Sequence, residues 1–125
     1  MKLRLLGYLL ALVFAASGGA KLLSLQFEIE AFARWGYPLE FMYLTGALEV
    51  AGALGLLVPR LSALAALCLA ALMVGAVGTH VLHGEWAMML VALCILLAAF
   101  WLGWRRRSGI SHVFRRGHAQ TARRR

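Results

Sequence analysis

The stretch of sequence that decides the fold is TGALEVAGALGLLVP, which runs from Thr45 to Pro59. It is apolar enough to lie within a membrane, yet it carries one acid, Glu49. Its neighbours one helical turn away are all small: Thr45, Gly46, Gly52 and Ala53. Small residues let a second helix approach the backbone closely. A carboxylate at mid-membrane costs about 2.5–3.5 kcal/mol on insertion scales, so we expect Glu49 to face the interior of a bundle and a partner.

The composition places the chain among multi-pass membrane proteins. Of its 125 residues, 62% are hydrophobic, and the mean hydropathy is +0.79, too apolar for a soluble domain of this size. The apolar residues form four long runs: 5–23, 41–58, 61–82 and 86–104. We therefore predict an all-α integral membrane protein, an antiparallel four-helix bundle. Residues 1–104 would form one membrane domain, and residues 105–125 a basic, disordered cytoplasmic tail.

The segment between the first two apolar runs, residues 24–40, has a different character. Its apolar and polar residues fall on separate helical faces, which predicts a short helix lying in the membrane interface. Glu30 and Arg34 are four residues apart, a spacing that allows an ion pair. Trp35 and Tyr37 suit the aromatic belt at the level of the headgroups. The breaker Gly-Tyr-Pro at 36–38 would turn the chain back into the bilayer.

The first apolar run also resembles a cleaved signal peptide. Lys2 and Arg4 precede it, and Ala-Ala-Ser-Gly at 15–18 has the small residues of a cleavage site. The run continues to Leu23, however, and Lys21 has a structural use only in an uncut helix. We interpret the run as a retained membrane helix, with cleavage as the alternative.

The net charge of +8 is distributed unevenly along the chain. Eleven basic residues precede the first run, lie between the second and third, or follow the fourth: Lys2, Arg4, Arg60 and the eight arginines after residue 104. The opposite side has only Lys21 and Arg34. The positive-inside rule then puts both termini in the cytoplasm. The basic tail is expected to lie on anionic lipid. We expect no nucleic-acid partner, because no base-reading motif accompanies the charges.

The most plausible partner for Glu49 is Lys21. Lys21 is about 3 Å from the outer end of its helix and Glu49 about 12 Å from that of the next, a difference that the two side chains can bridge. His80 lies near the outer end of the third span. Together they predict an outward-opening polar pocket. The candidate ligand-binding residues are Glu49, Lys21, His80, Thr45, Ser17, Trp35 and Tyr37, with Thr79 as a further hydrogen-bonding neighbour.

Plainer interpretations of these residues stay open. Lys21 would then extend to the headgroups, as lysines near helix ends commonly do. His80 would be an ordinary interfacial histidine. A buried pair of Lys21 and Glu49 would equally serve folding specificity alone. If the protein has a catalytic step, Glu49 and Lys21 are the candidates for it, and the sequence leaves open whether it is an enzyme.

Metal and disulfide chemistry are not expected. His80 and His83 have a spacing that can share a helix face, but this spacing is too common to indicate a metal site. Cys68 and Cys94 are interpreted as small core residues. Their depths in the bilayer differ by about 8 Å, beyond the roughly 7 Å limit for the Cα atoms of a disulfide.

Four short motifs follow one another in an informative order. They are Gly-Gly-Ala-Lys at 18–21, Trp-Gly-Tyr-Pro at 35–38, Gly46-x-x-Glu49-x-x-Gly52 and Gly-Leu-Leu-Val-Pro-Arg at 55–60. Their order and spacing resemble the DoxX-like family of small four-helix bacterial membrane proteins, over roughly residues 4–104. The resemblance implies polar roles for Lys21, Glu49 and His80. It also implies an accessory or ligand-binding component of a membrane redox or stress-related system, with a quinone or lipid-like ligand and a redox partner protein.

The chain departs from a self-contained redox protein because it has no cysteine pair suited to thiol exchange. Two other classes of function stay open. Small multidrug exporters are four-helix proteins of similar length with one essential membrane glutamate, although theirs lies in the first helix. A structural or assembly protein would use Lys21 and Glu49 as a buried pair. The sequence also leaves open whether the protein forms a homo-oligomer in the lipid bilayer.

Overall fold

The computed structural model describes residues 2–108. Within that range there are five helices: α1 (Lys2–Leu22), α2 (Gln26–Trp35), α3 (Leu39–Leu57), α4 (Ser62–Leu82) and α5 (Trp86–Arg105). All except the short α2 are long and apolar enough to cross a membrane. The predicted all-α, four-helix membrane bundle with a short helix between the first two spans is therefore confirmed. The predicted tail lies, from residue 109, outside the described residues, and its boundary stays a prediction.

Successive spans run in opposite directions, so the bundle has two distinct ends. The α2 end carries α2 and the turns that close α1 and α4. The basic end carries Lys2, the α3–α4 turn with Arg60, and Arg105. At the basic end, Arg106 donates a hydrogen bond of 2.5 Å to the buried hydroxyl of Ser62.

Three helices that finish at the α2 end close with the same backbone motif. Ser24, Gly36 and Gly84 follow α1, α2 and α4, and each has a positive φ of 56°, 79° and 68° respectively. In each case the next amide N–H bonds back to the carbonyl five residues earlier, which satisfies an otherwise unpaired helix-end carbonyl. These tight helix-ending turns reverse the direction of the chain within a few residues. The predicted breaker at 36–38 is confirmed.

Close packing of α1 on α3 depends on two facing glycines. A Cβ atom on Gly18 would lie 2.6 Å from the carbonyl oxygen of Gly46, and one on Gly46 would lie 2.8 Å from the Cβ of Lys21. On the other side of α3, a Cβ on Gly52 would lie 2.5 Å from Leu69 of α4. The small residues around Glu49 therefore admit one helix on each side, as the sequence predicts.

The interior is filled by apolar side chains from the four long helices, among them Leu10, Phe14, Leu56, Leu69 and Leu102. The interpretation of Cys68 and Cys94 as core residues is wrong. Both are exposed free thiols on the outer surface of the bundle. On α4 the bundle-facing position next to Cys68 belongs to Leu69, which packs against Gly52, so the thiol points away from the core.

Candidate functional site

A cavity of about 620 Å³ lies at the α2 end, with α2 across it and the four long helices around it. Its walls are mainly apolar and aromatic, with a few polar groups. All seven residues predicted to bind a ligand line this cavity: Ser17, Lys21, Trp35, Tyr37, Thr45, Glu49 and His80. The structure therefore brings the predicted residues around one space, where five of the seven belong to two separate polar clusters.

The first cluster is centred on the ammonium group of Lys21. Its Nζ lies 2.9 Å from Ser17 Oγ, 3.3 Å from Glu49 Oε2 and 3.4 Å from Glu28 Oε1. The side chains of the lysine and both glutamates are at most 12% exposed. One buried cation is thus shared by two carboxylates and a hydroxyl. The alternative in which Lys21 extends to the headgroups is wrong.

Helix packing accounts for this arrangement. Lys21 lies one turn after Gly18, and Glu49 lies one turn after Gly46. Contact between the two glycines brings the side chains together across their difference in depth. Glu28 is positioned by the backbone turn and not by helix packing. The closure at Ser24 folds the first turn of α2 back toward Lys21.

The second cluster is centred on the carboxylate of Glu85, in the α4–α5 turn. Arg34 Nη2 and Trp35 Nε1 each donate to it at 2.7 Å, and His80 Nδ1 lies 3.1 Å away. Because a carboxylate only accepts, Nδ1 of His80 is the donor in this contact. The Trp35 hydrogen bond is the main cause that lowers the pKa of Glu85 from 4.5 to about 2. The hydrogen bonds of His80 and Arg34 and the Arg34 charge add to it, while partial burial acts in the opposite direction.

A third contact joins the end of α2 to α4. The hydroxyls of Tyr37 and Thr79 are 3.0 Å apart, and the hydroxyl of Thr79 donates to the carbonyl of Gly75 at 2.9 Å. Tyr37 is therefore the donor to Thr79. Trp35 and Tyr37, which the sequence assigns to an aromatic belt, are half-buried here and bonded within the protein.

Three charged residues of the two polar clusters were not expected from the sequence: Glu28, Arg34 and Glu85. The allowed pair of Glu30 and Arg34 is not formed, because Arg34 bonds to Glu85 and Glu30 accepts from Gln26 at 3.3 Å. Glu85, in the α4–α5 turn, has a side chain only 20% exposed. The sequence does hold one sign of the contact between Glu85 and His80. Glu85 follows His80 by five residues, and the helix-ending glycine between them turns the chain back toward the histidine.

The remaining polar candidates make local contacts. Thr45 donates to the carbonyl of Phe41 at 2.8 Å and is not bonded to Glu49. His83 Nδ1 lies 2.9 Å from the carbonyl of Thr79, whereas His80 is held by Glu85. Within residues 2–108, no three His, Cys, Asp or Glu side chains are grouped as a metal site would require.

Comparison with known proteins identifies the family. The family model described as the DoxX-like family matches residues 5–102, which includes α2, α3, α4, most of α1 and α5, and both polar clusters. No curated protein and no solved structure matches the chain. Because the family match extends over most of the sequence, this chain belongs to the DoxX-like family.

Proposed function

We propose that this DoxX-like protein is an accessory, ligand-binding component of a membrane redox or stress-related system, and that its cavity binds a quinone or a similar amphiphile. The observation that carries the proposal is the buried cluster of Lys21, Glu28 and Glu49 within an otherwise apolar and aromatic cavity. An apolar concave site with a few converging polar groups is the usual form of a small-molecule site.

The polar cluster offers what a quinone headgroup requires. The ammonium of Lys21 is a donor for a carbonyl oxygen, and the carboxylate of Glu49 is an acceptor for a hydroxyl group of the reduced form. Lys21 already has two further acceptors, so it can release Glu49 to a ligand and stay paired. A quinone would supply the electron chemistry, and Glu49 would hold or accept the proton.

The proposal includes an orientation. The basic end would face the cytoplasm of a bacterium and the α2 end the opposite side of the inner membrane, because the basic residues are concentrated at the former. In this arrangement the membrane domain of residues 1–104 is followed by a cytoplasmic tail at 105–125. A redox partner protein, or a second copy of the chain, would then meet the cavity from the α2 end.

The decisive experiment is mass spectrometry of what co-purifies with the protein in a mild detergent. We expect a quinone or a defined lipid-like molecule with the wild type, and its loss from Glu49→Gln, which keeps size but removes the charge. Glu40→Gln is the matched control, because Glu40 begins the same helix, is exposed and does not line the cavity. Retention of the molecule by Glu49→Gln, or its absence from the wild type, would contradict the proposal.

A structural role is the second candidate, and one observation favours it. Within the described residues no buried side-chain nitrogen or oxygen lacks a hydrogen-bond partner. The Lys21 cluster is therefore complete without a ligand, as a folding or assembly device would be. This candidate predicts that Glu49→Gln lowers stability while nothing specific co-purifies with either protein.

A further inference from the structure

The wall of the cavity is incomplete on one side. Five large apolar residues line the cavity and are also exposed on the surface of the bundle. Phe41 (46%) of α3 lies against Tyr37. The other four are Val13 (41%), Phe27 (61%), Met88 (53%) and Val91 (52%). They come from α1, α2 and α5, so the opening lies where α1 faces α5 beneath α2. We call these four residues the lateral portal.

The two helices on either side of the lateral portal meet at the basic end. There, a Cβ on Gly7 of α1 would be in ordinary contact with α5, 3.7 Å from Leu102. Within the described helices, no hydrogen bond, ion pair or ring contact joins α1 to α5. The opening between α3 and α4 is different, because Tyr37 spans it by bonding Thr79 and by packing its ring 5.3 Å from Phe41.

The depth of the lateral portal decides what it faces. Val91 is five residues from the start of α5, and Val13 is nine residues from the end of α1. At 1.5 Å per residue these positions are about 8 Å and about 14 Å from the α2 end of the bundle. Half of the hydrocarbon core is about 15 Å thick, so Val91 and Val13 of the lateral portal lie at the level of the lipid chains, with Met88 and Phe27 closer to the interface.

The groups along the cavity change character toward this opening. The buried ions of Lys21 and Glu49 lie on the α1–α3 side, whereas α5 contributes only apolar residues to the described cavity wall: Met88, Val91, Ala92 and Ile95. A molecule with a polar head and an apolar chain fits this order, with its head at Lys21 and its chain leaving between α1 and α5.

Resting on the proposed function, we propose that the lateral portal admits the ligand from the bilayer leaflet on the α2 side. The ligand is then an amphiphile whose apolar chain stays in the opening, and not a water-soluble substrate that enters from the aqueous phase. Burial of the chain in the opening supplies part of the binding free energy, while the Lys21 cluster selects the headgroup.

The test uses Trp35 as a reporter inside the cavity. Trp86, Trp101 and Trp104 are exposed, do not line the cavity, and are replaced by Phe so that Trp35 alone fluoresces. The protein is placed in phosphatidylcholine vesicles and titrated with decylubiquinone and with ubiquinone-0, which have the same ring with and without a chain. Saturable quenching of Trp35 reports binding of the quinone ring.

Two variants narrow the opening from opposite helices, Val91→Phe and Val13→Phe. Val74→Phe is the matched control, because Val74 is 58% exposed on α4 and does not line the cavity. We expect each portal variant to weaken decylubiquinone binding about tenfold, as overfilling a packed site does. We expect ubiquinone-0 binding to be unchanged in these variants, and Val74→Phe to match the parent for both probes.

The outcomes separate the two proposals. If decylubiquinone binds both portal variants as it binds the parent, the lateral portal is wrong and the proposed function stands. Equal weakening of both probes also overturns the lateral portal, because the substitutions would then act on the ring site. If neither probe quenches Trp35 saturably in the parent protein, both proposals fail.

Discussion

At the scale of single residues, Lys21 is the group on which the polar cluster depends. Its ammonium is the cation shared by Glu28 and Glu49, and all three side chains are nearly inaccessible. A buried charge without its partner is strongly unfavourable. The two glutamates are therefore not equivalent to the lysine: each can be lost singly while Lys21 keeps an acceptor, but loss of Lys21 leaves two facing carboxylates.

This asymmetry predicts the order of stability of two variants. Lys21→Met should destabilise the folded protein by about 3–5 kcal/mol, because it leaves buried carboxylates without a cation. Glu49→Gln should cost clearly less, since Glu28 and Ser17 still accept from Lys21. Thermal unfolding in one detergent measures both. The double variant Lys21→Met, Glu49→Gln should recover part of the loss; equal midpoints for the two single variants would refute the shared-cation account.

The contacts of Lys21 with Glu49 and with Ser17 could be predicted from sequence, whereas the contacts of Glu28 and Glu85 could not. Helix rise gives the depth of a residue in a span, and two opposite charges at compatible depth are a pair that a bilayer favours. Glu28 and Glu85 lie beside turns. Their positions depend on how Ser24 and Gly84 close the preceding helices, which no depth argument contains.

At the scale of elements, α2 is a cover held by few contacts. Phe32 is its one buried residue within the described part of the chain, and the ring lies 6.2 Å from that of Phe41. The polar attachments are Glu28 to Lys21 at the start of the helix, and Arg34 and Trp35 to Glu85 at its end. The sequence predicted the helix from its two faces, but not the attachment of Arg34. A partly buried carboxylate already bonded to Trp35 and His80 is a better-ordered acceptor than the exposed Glu30.

The attachment at Glu85 predicts how α2 responds to acid. Trp35 of α2 is the main cause that lowers the pKa of Glu85 from 4.5 to about 2, and Arg34 of α2 adds to it. Detachment of α2 therefore raises this pKa, and the carboxylate takes up a proton at low pH. The stabilising contribution is therefore complete above pH 4.5 and is lost as the pH falls through about 2. In the protein with Trp35 as sole tryptophan, fluorescence should stay constant from pH 8 to about pH 4.5 and change below it.

Glu85→Gln is the control for this titration. The glutamine keeps the size of the side chain and an oxygen for Trp35, but it has no charge to lose. The change between pH 4.5 and about 2 should be absent or much reduced in this variant. A fluorescence midpoint of the parent protein above pH 4.5 would show that Glu85 is not held by these donors.

At the scale of the whole molecule, fold class and family could be predicted because they depend on hydropathy and on ordered motifs. Which faces of α4 and α5 point to lipid and which to the core could not be predicted. Both helices are apolar on all sides, so no periodicity distinguishes the lipid-facing side from the core, and Cys68 and Cys94 were assigned to the wrong one. The opening between α1 and α5 could not be predicted either, since it depends on which face of the apolar helix α5 meets α1.

The bundle is tight between α1 and α3 and open between α1 and α5, and this difference predicts how the site responds to a single methyl group. Gly46→Ala would place a Cβ 2.8 Å from the Cβ of Lys21 and 2.9 Å from the carbonyl oxygen of Gly18. The helices must separate, which should lower the free energy of unfolding by about 1–3 kcal/mol. Gly78→Ala is the matched control, because a Cβ there meets nothing within 4 Å. It should leave stability unchanged or raise it by up to about 1 kcal/mol.

Separation of α1 from α3 also lengthens the Lys21–Glu49 contact without altering either side chain. Gly46→Ala should therefore lose the ligand that Gly78→Ala retains, and equal stability and equal ligand content in the two variants would show that close helix approach does not build this site.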